Sequence, residues 1–234
     1  MIILGLDALD LGLVEKFKCE NLMQIEHGQT ELSDFPLKRT VALWSSFLAG
    51  KNLDAQIPVK TQWEFRLSAS NTFLKFFNNY LAIDVPGYSH KASHTKEREL
   101  LKGFFEQGTP VEEFDAFVWK LHEENKKEFF GSMGKYELLM GYFNLADSIG
   151  HLSFGVPEKM KAVYEELEGL AKEVRNSSSD FILIISDHGM KALGKFGDHS
   201  DNGFFSVNRK LGLVLPKITD FYNLIRGIQN VTQN

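Results

Sequence analysis

The chain has 234 residues, 43% hydrophobic and 24% charged, with a formal net charge of −5. That length holds a sizeable core in one domain, or in one domain carrying an insertion, and the composition is that of a globular protein rather than a disordered or membrane-embedded one. The acidic balance argues against a basic nucleic-acid-binding surface and leaves room for a small anionic substrate held by cations.

The opening "MIILGLDALDLG" predicts a strand over residues 2–6 with Asp7 at its carboxyl end, and a helix over "ALDLGLVEKF". It lacks a basic leader and a small-residue cleavage site, so a cytoplasmic protein is expected. The single cysteine, Cys19, has no internal disulfide partner and is expected as a buried or semi-buried thiol in this early helix. "TVALWSSFLAGK" has apolar residues three and four apart and closes on Gly50, which predicts a helix with Thr40 at or near its N-cap. Ser45 and Ser46 fall inside that helix, and Trp44 reads as core.

Beyond it, irregular polar sequence runs to about residue 64. An aromatic-rich helix is expected over "FRLSASNTFLKFFNNY", with Phe73 and its neighbours in the core, and then a brief strand in "LAIDVPG". "HKASH" places His90 and His94 four apart, but its Lys and Ser flanks predict a solvated loop; His27 and His122 are expected on the surface. Residues 95–130 read as charged helix, "YELLMGYFNLAD" as an apolar run ending in an acid, and "PEKMKAVYEELEGLAKEV" as a helix with Pro157 in its first turn. "FILIIS" is then a strand buried on both faces, ending at Asp187 and His188, and His199 lies in a glycine-bounded loop before another strand. No membrane-spanning run and no signature of oligomeric state are present. Strands alternating with helices predict an α/β fold, layered α/β/α around a largely parallel sheet.

In open sheets of this kind, ligands bind beyond the carboxyl ends of the strands. Asp7, Asp147, His151, Asp187, His188 and His199 all fall there. An acid after a strand is commonly just a helix cap, and a lone histidine commonly just packs. Together, three carboxylates and three imidazoles are the donors that zinc or manganese take, and six are enough for two ions. Asp198 and Asp201 flank His199 and are expected either to orient its ring or simply to turn the chain.

"GLDALD", "TVALWSSFLAG", "DSIGH", "SDHGM" and "HSDNGFFSVN" stand in the order found in the alkaline phosphatase superfamily, and the chain resembles its type I phosphodiesterase/nucleotide pyrophosphatase family. Thr40 followed ten residues later by Gly50 is similar to that family's nucleophile motif, although Ala42 replaces a common proline and the usual downstream continuation is absent. The resemblance implies that Asp7, Thr40, Asp187 and His188 surround one divalent ion and Asp147, His151 and His199 the other. Thr40 is then the nucleophile toward a small phosphorylated substrate, a phosphodiester or nucleotide, with residues 52–135 an insertion or cap. No counterpart of the family's phosphate-stabilising asparagine is evident; Lys51 and Asn52 read as helix-end residues in solvent. A phosphomonoesterase, a phosphomutase-like enzyme and a non-catalytic binder of phosphorylated ligands are the alternatives.

Overall fold

The structure is a computed structural model, and it describes residues 1–232. Its centre is a six-stranded sheet formed by β1 (Ile2–Leu6), β2 (Glu26–Glu31), β3 (Tyr80–Ile83), β4 (Leu138–Phe143), β5 (Ile182–Ile185) and β8 (Asn202–Val207). The spatial order is β2-β8-β5-β1-β4-β3, with β8 antiparallel to both neighbours and the other pairs parallel. A separate antiparallel hairpin, β6 (Met190–Leu193) and β7 (Phe196–His199), leaves the sheet after β5.

The central strands are apolar throughout because both faces are covered. Ile2, Leu4, Leu6, Ile182 and Ile184 point to one side, into a core closed by α3 (Ser93–Gln107), α4 (Val111–Ser132), α5 (Leu145–Ser153) and α6 (Pro157–Ser177). Ile3, Met140, Tyr142, Leu183 and Ile185 point to the other, against α2 (Thr40–Ala49) and α7 (Phe221–Thr232). Each fully buried Ile or Leu stabilises the fold by roughly 1.5–3 kcal/mol, so these two layers dominate its stability. The mixed α/β layering and largely parallel sheet are those expected from the sequence.

Several elements depart from the sequence reading. The first helix is shorter than expected, α1 (Leu11–Lys16): Ala8 sits at φ 57° directly after Asp7, and Asp10 caps the helix through Leu13 N. Cys19 is buried but lies beyond α1. The expected helix over residues 65–80 is two short 3₁₀ turns followed by β3: the Ser68 and Ser70 hydroxyls bond each other, and Thr72 Oγ1 donates to the Ala69 carbonyl and accepts from Leu74 N at 3.2 Å. Phe73, Leu74 and Phe77 still reach the core. The charged stretch is two helices, broken at Gly108 (φ 72°) and Pro110. The segment 52–135 supplies β3 to the sheet and α4 to its face.

A candidate two-metal centre

Four parallel strands end in acids along one edge of the sheet. In spatial order β5, β1, β4 and β3 lead into Asp187, Asp7, Asp147 in the first turn of α5, and Asp84. His188 follows Asp187, His151 lies four residues beyond Asp147 on α5, and His199 ends β7.

Two triads form from six of the sequence-predicted residues. Asp7, Asp187 and His188 are fully buried, with His188 Nε2 3.5 Å from Asp7 Oδ1 and 3.5 Å from Asp187 Oδ2. In the second, Asp147 Oδ1 is 3.3 Å from His151 Nε2 and 3.5 Å from His199 Nε2, and the two Nε2 atoms are 3.2 Å apart. The His188 and His199 rings stack at 3.7 Å, which makes the triads neighbours. In each triad all ligand atoms lie within 4.8 Å of one another.

The hydrogen bonds around these groups decide which atoms are open. His188 Nδ1 lies 3.0 Å from the Gly189 carbonyl, His199 Nδ1 2.5 Å from that of Lys38, and His151 Nδ1 3.3 Å from that of Gly197. Each carbonyl accepts from Nδ1, so it is Nε2 that each ring turns toward the carboxylates, the nitrogen left to bind a metal once any proton on it is displaced. Asp7 Oδ1, both oxygens of Asp187, Asp147 Oδ1 and His188 Nε2 are buried with no hydrogen-bond partner. Buried carboxylate oxygens without donors are expensive, and divalent cations between them remove that cost. The donor set of imidazole nitrogen and carboxylate oxygen fits zinc or manganese.

The charge balance shows the same deficit. Burial, and then Asp147, push Asp7 up to about 7, while Tyr142 Oη donates to its Oδ2 at 2.5 Å and pulls the other way. Burial, with Asp7 beside it, raises Asp187 well above the carboxylate range. Asp147 is also opposed by burial but falls well below that range because His151 and His199 outweigh it. His151 is raised to about 9, chiefly by Asp147, and burial pushes His188 down to about 3.

Local packing makes the convergence possible. A Cβ on Gly197 would lie 2.3 Å from Met190 Sδ and 2.7 Å from the Gly150 carbonyl, and one on Gly150 would lie 2.2 Å from Met190 Sδ. Glycine at both places lets the hairpin close on α5 and bring His199 to His151. Ser186 Oγ donates to the His188 carbonyl at 2.6 Å and accepts from Leu9 N at 2.9 Å, tying the turns after β5 and β1 together.

Thr40 is the first residue of α2, one position inside the helix rather than at its cap, which is Arg39. It lines a cavity of about 200 Å³ together with Asp147, His151 and His199. Arg39 fixes its approach through Asp54 Oδ1 (2.6 Å) and the Ile57 carbonyl (2.9 Å), and the preceding Lys38 carbonyl is the partner of His199. The opening amides of α2 have no preceding turn to bond, so the helix start favours an anion. Ser45 and Ser46 are buried in the helix, as expected, and Lys51 and Asn52 are exposed.

Neither flanking aspartate touches the His199 ring: Asp198 accepts from the His199 backbone N–H, and Asp201 pairs with Lys38 at 3.4 Å. His199 itself ends a strand of a hairpin rather than sitting in a loop. His122 is buried on α4 with Nε2 3.0 Å from Glu166; His27 is exposed as expected.

"HKASH" is not a solvated loop. His94 is buried with Nε2 2.8 Å from Asp84 Oδ2 and Nδ1 2.5 Å from Glu97 Oε2, and it stacks on His90 at 4.0 Å. Asp84 also accepts from Lys91 N and Asn125 Nδ2, and Glu97 from Asn144 Nδ2 at 2.8 Å and from Ser148 Oγ. Burial opposes it, yet bonds to Asp84 and Glu97 raise His94 to about 9; His90, neutralised mainly by burial, is lowered. Asp84, His90 and His94 lie as close together as the members of either triad, but both His94 nitrogens are already bonded to the carboxylates of Asp84 and Glu97, so a metal there would have to displace those bonds.

No family profile matches the chain, and no curated protein matches it in sequence. Among solved structures, the PH0037 protein from Pyrococcus horikoshii is similar over 98% of this chain and 96% of its own, at a TM-score of 0.54 and 10% identity, a likeness of fold. Murine ectonucleotide pyrophosphatase / phosphodiesterase 5 aligns with 83% of this chain at a TM-score of 0.46 and 11% identity, and the chain spans 58% of that protein.

Proposed function

We propose that the chain is a metal-dependent hydrolase of phosphate esters, acting on phosphodiester or nucleotide-type substrates through a phosphoryl-threonine intermediate on Thr40. One observation carries the reading: two adjacent triads turn unpartnered carboxylate oxygens and imidazole lone pairs toward each other beside a hydroxyl at a helix start. Asp7, Asp187 and His188, with Thr40, would hold one cation, and Asp147, His151 and His199 the other. Bound zinc or manganese would supply Lewis acidity, acidifying a hydroxyl and neutralising charge on the attacking and leaving oxygens.

The chain's own groups account for the rest. Thr40 Oγ bonds to phosphorus as the phosphorus–oxygen bond to the leaving group breaks, and the proton it gives up ends on the departing alkoxide oxygen, releasing the alcohol. The first amides of α2 stabilise the phosphoryl oxygens as negative charge builds on them. Water then cleaves the threonyl phosphate, releasing the phosphorylated product and restoring the hydroxyl.

The test is a paired assay of a chromogenic phosphodiester and phosphomonoester on metal-analysed protein, with zinc and manganese supplied separately. Thr40→Ala is expected to keep its fold and metal content and to lose turnover by about 10³-fold or more. Wild-type protein that carries metal yet hydrolyses neither ester would overturn the hydrolase reading in favour of a phosphorylated-ligand binder. A faster monoester reaction would move it to a phosphomonoesterase.

A further inference from the structure

Trp63 and Arg98 also line the Thr40 cavity. Four π systems stack there: the Arg98 guanidinium lies 4.4 Å from the Trp63 ring centroid, Trp63 stacks on His90 at 5.4 Å, and His90 on His94 at 4.0 Å. The inner end of the stack is locked by Asp84 and Glu97. Its outer end is open.

Arg98 makes one side-chain hydrogen bond among the described residues, Nη2 to Thr95 Oγ1 at 3.2 Å, and no carboxylate lies within salt-bridge distance of it. Its Nη1 is buried and unpartnered, and so, on the far side of Trp63, is His90 Nε2. Glu97 offsets part of the cost of burying that charge, but its oxygens are already taken by His94, Asn144 and Ser148. A second guanidinium, Arg66, adds to the local positive charge and, among the described residues, bonds only to the Trp63, Phe65 and His90 carbonyls. A buried guanidinium donor over an aromatic face, in a cavity shared with the nucleophile, suits a planar or tetrahedral anion.

We propose that Arg98, held over Trp63, is a subsite for a second anionic group, a carboxylate or a further phosphate, carried by the ester whose scissile phosphate sits at Thr40. The proposal rests on reading the Thr40 site as a phosphate-ester site, and it narrows the substrate class to esters bearing two anions a few bonds apart. Trp63 fixes the guanidinium plane, and the stack behind it keeps Trp63 from turning.

Binding, measured by calorimetry on zinc-loaded protein, tests this without requiring turnover. Four phosphate esters of similar size serve as probes: ethyl phosphate, 2-aminoethyl phosphate, phosphoglycolate and ethylene glycol bisphosphate. Wild-type protein is expected to bind the last two at least about tenfold more tightly than ethyl phosphate, and the amine most weakly. The better of the two dianion-bearing esters tells a carboxylate from a second phosphate. In Arg98→Met, which keeps the contact with Trp63, that preference should vanish while ethyl phosphate affinity stays within about twofold; Arg98→Lys should retain part of it. Equal affinities in the wild type, or a proportional loss for all four ligands in Arg98→Met, would overturn the subsite. No binding of any ester, ethyl phosphate included, would instead overturn the phosphate-site reading beneath it. Far-ultraviolet circular dichroism and thermal melts of both variants separate lost recognition from lost fold.

Discussion

Replacing His94 with glutamine probes whether the buried network beside the site carries a cation. His94 bridges Asp84 and Glu97 with both ring nitrogens, and its side chain is 4% exposed. A glutamine amide donates to one of these carboxylates and leaves the other without its charge partner, a change that costs about 3–5 kcal/mol when one member of a buried pair is removed. The pH dependence separates charge from packing. The folded pKa of about 9 lies above the unfolded 6.5, so the protonated ring stabilises the fold fully below pH 6.5, and that contribution is lost as pH rises through 9. At about 1.36 kcal/mol per pH unit the loss amounts to about 3 kcal/mol, counted once for the ring and its carboxylates together. Urea denaturation of chelator-treated wild type and His94→Gln between pH 6 and 10 measures it, and subtracting the two curves removes the titrations of the triads they share. The stability gap should be largest near pH 6 and narrow by about 3 kcal/mol toward pH 10, leaving a residue from the lost hydrogen bonds. A gap of constant size would show that His94 is neutral in the fold and refute the charge assignment.

His199→Ala should lower the occupancy of one metal preferentially, seen as a fall from two bound ions toward one by elemental analysis; unchanged metal content removes His199 from the ligands. Gly197→Ala sets a methyl 2.3 Å from Met190 Sδ and 2.7 Å from the Gly150 carbonyl, and should destabilise by about 1–3 kcal/mol in urea while weakening zinc affinity, because backbone on α5 has to yield. An unchanged midpoint would mean that the hairpin is not pressed against α5. Zinc added to metal-free protein at pH 6.5 should release protons, since Asp7 near 7 and His151 near 9 are both largely protonated before they bind. Calorimetry in buffers of different ionisation enthalpy reads the release, and heats independent of buffer would contradict those protonation states.

Both triads were legible because their residues sit where strand runs stop. Ile182–Ile185 and Leu138–Phe143 are apolar on both faces, which marks them as inner strands and their following acids as edge groups. The same sign stood in "LAIDVPG": Asp84 follows β3 as Asp7 follows β1, and His94 and Glu97 are one helical turn apart. Lys91 and Ser93 between them suggested solvent, but Lys91 turns out to bond Asn125 and Glu128 across the protein. His122 was misplaced for a similar reason, since polar neighbours hid its place on the α4 face that buries Val118, Leu121, Asn125 and Phe129. The hairpin carrying His199 had no readable period: Lys191, Ala192 and Leu193 are all exposed, so only pairing geometry makes them a strand.

The network missed in the sequence explains why the predicted ligands hold their places. Asn144 and Ser148, at the start of α5, are bonded to Glu97, so the helix that presents Asp147 and His151 is anchored by the carboxylate that His94 neutralises. Asp84, the other carboxylate of that imidazolium, accepts from Asn125, whose Nδ2 also reaches the Tyr142 carbonyl at 3.3 Å, and Tyr142 Oη holds Asp7. One triad is therefore positioned through α5 and the other through β4, and both lines start at a single buried positive ring. Burial opposes the charge on Asp84, but its bonds to His90 and His94 hold it well below the usual carboxylate range, and both His94 nitrogens are occupied. Removing the His94 charge should loosen both triads together, whereas removing Glu97 alone should act first on Asp147 and His151.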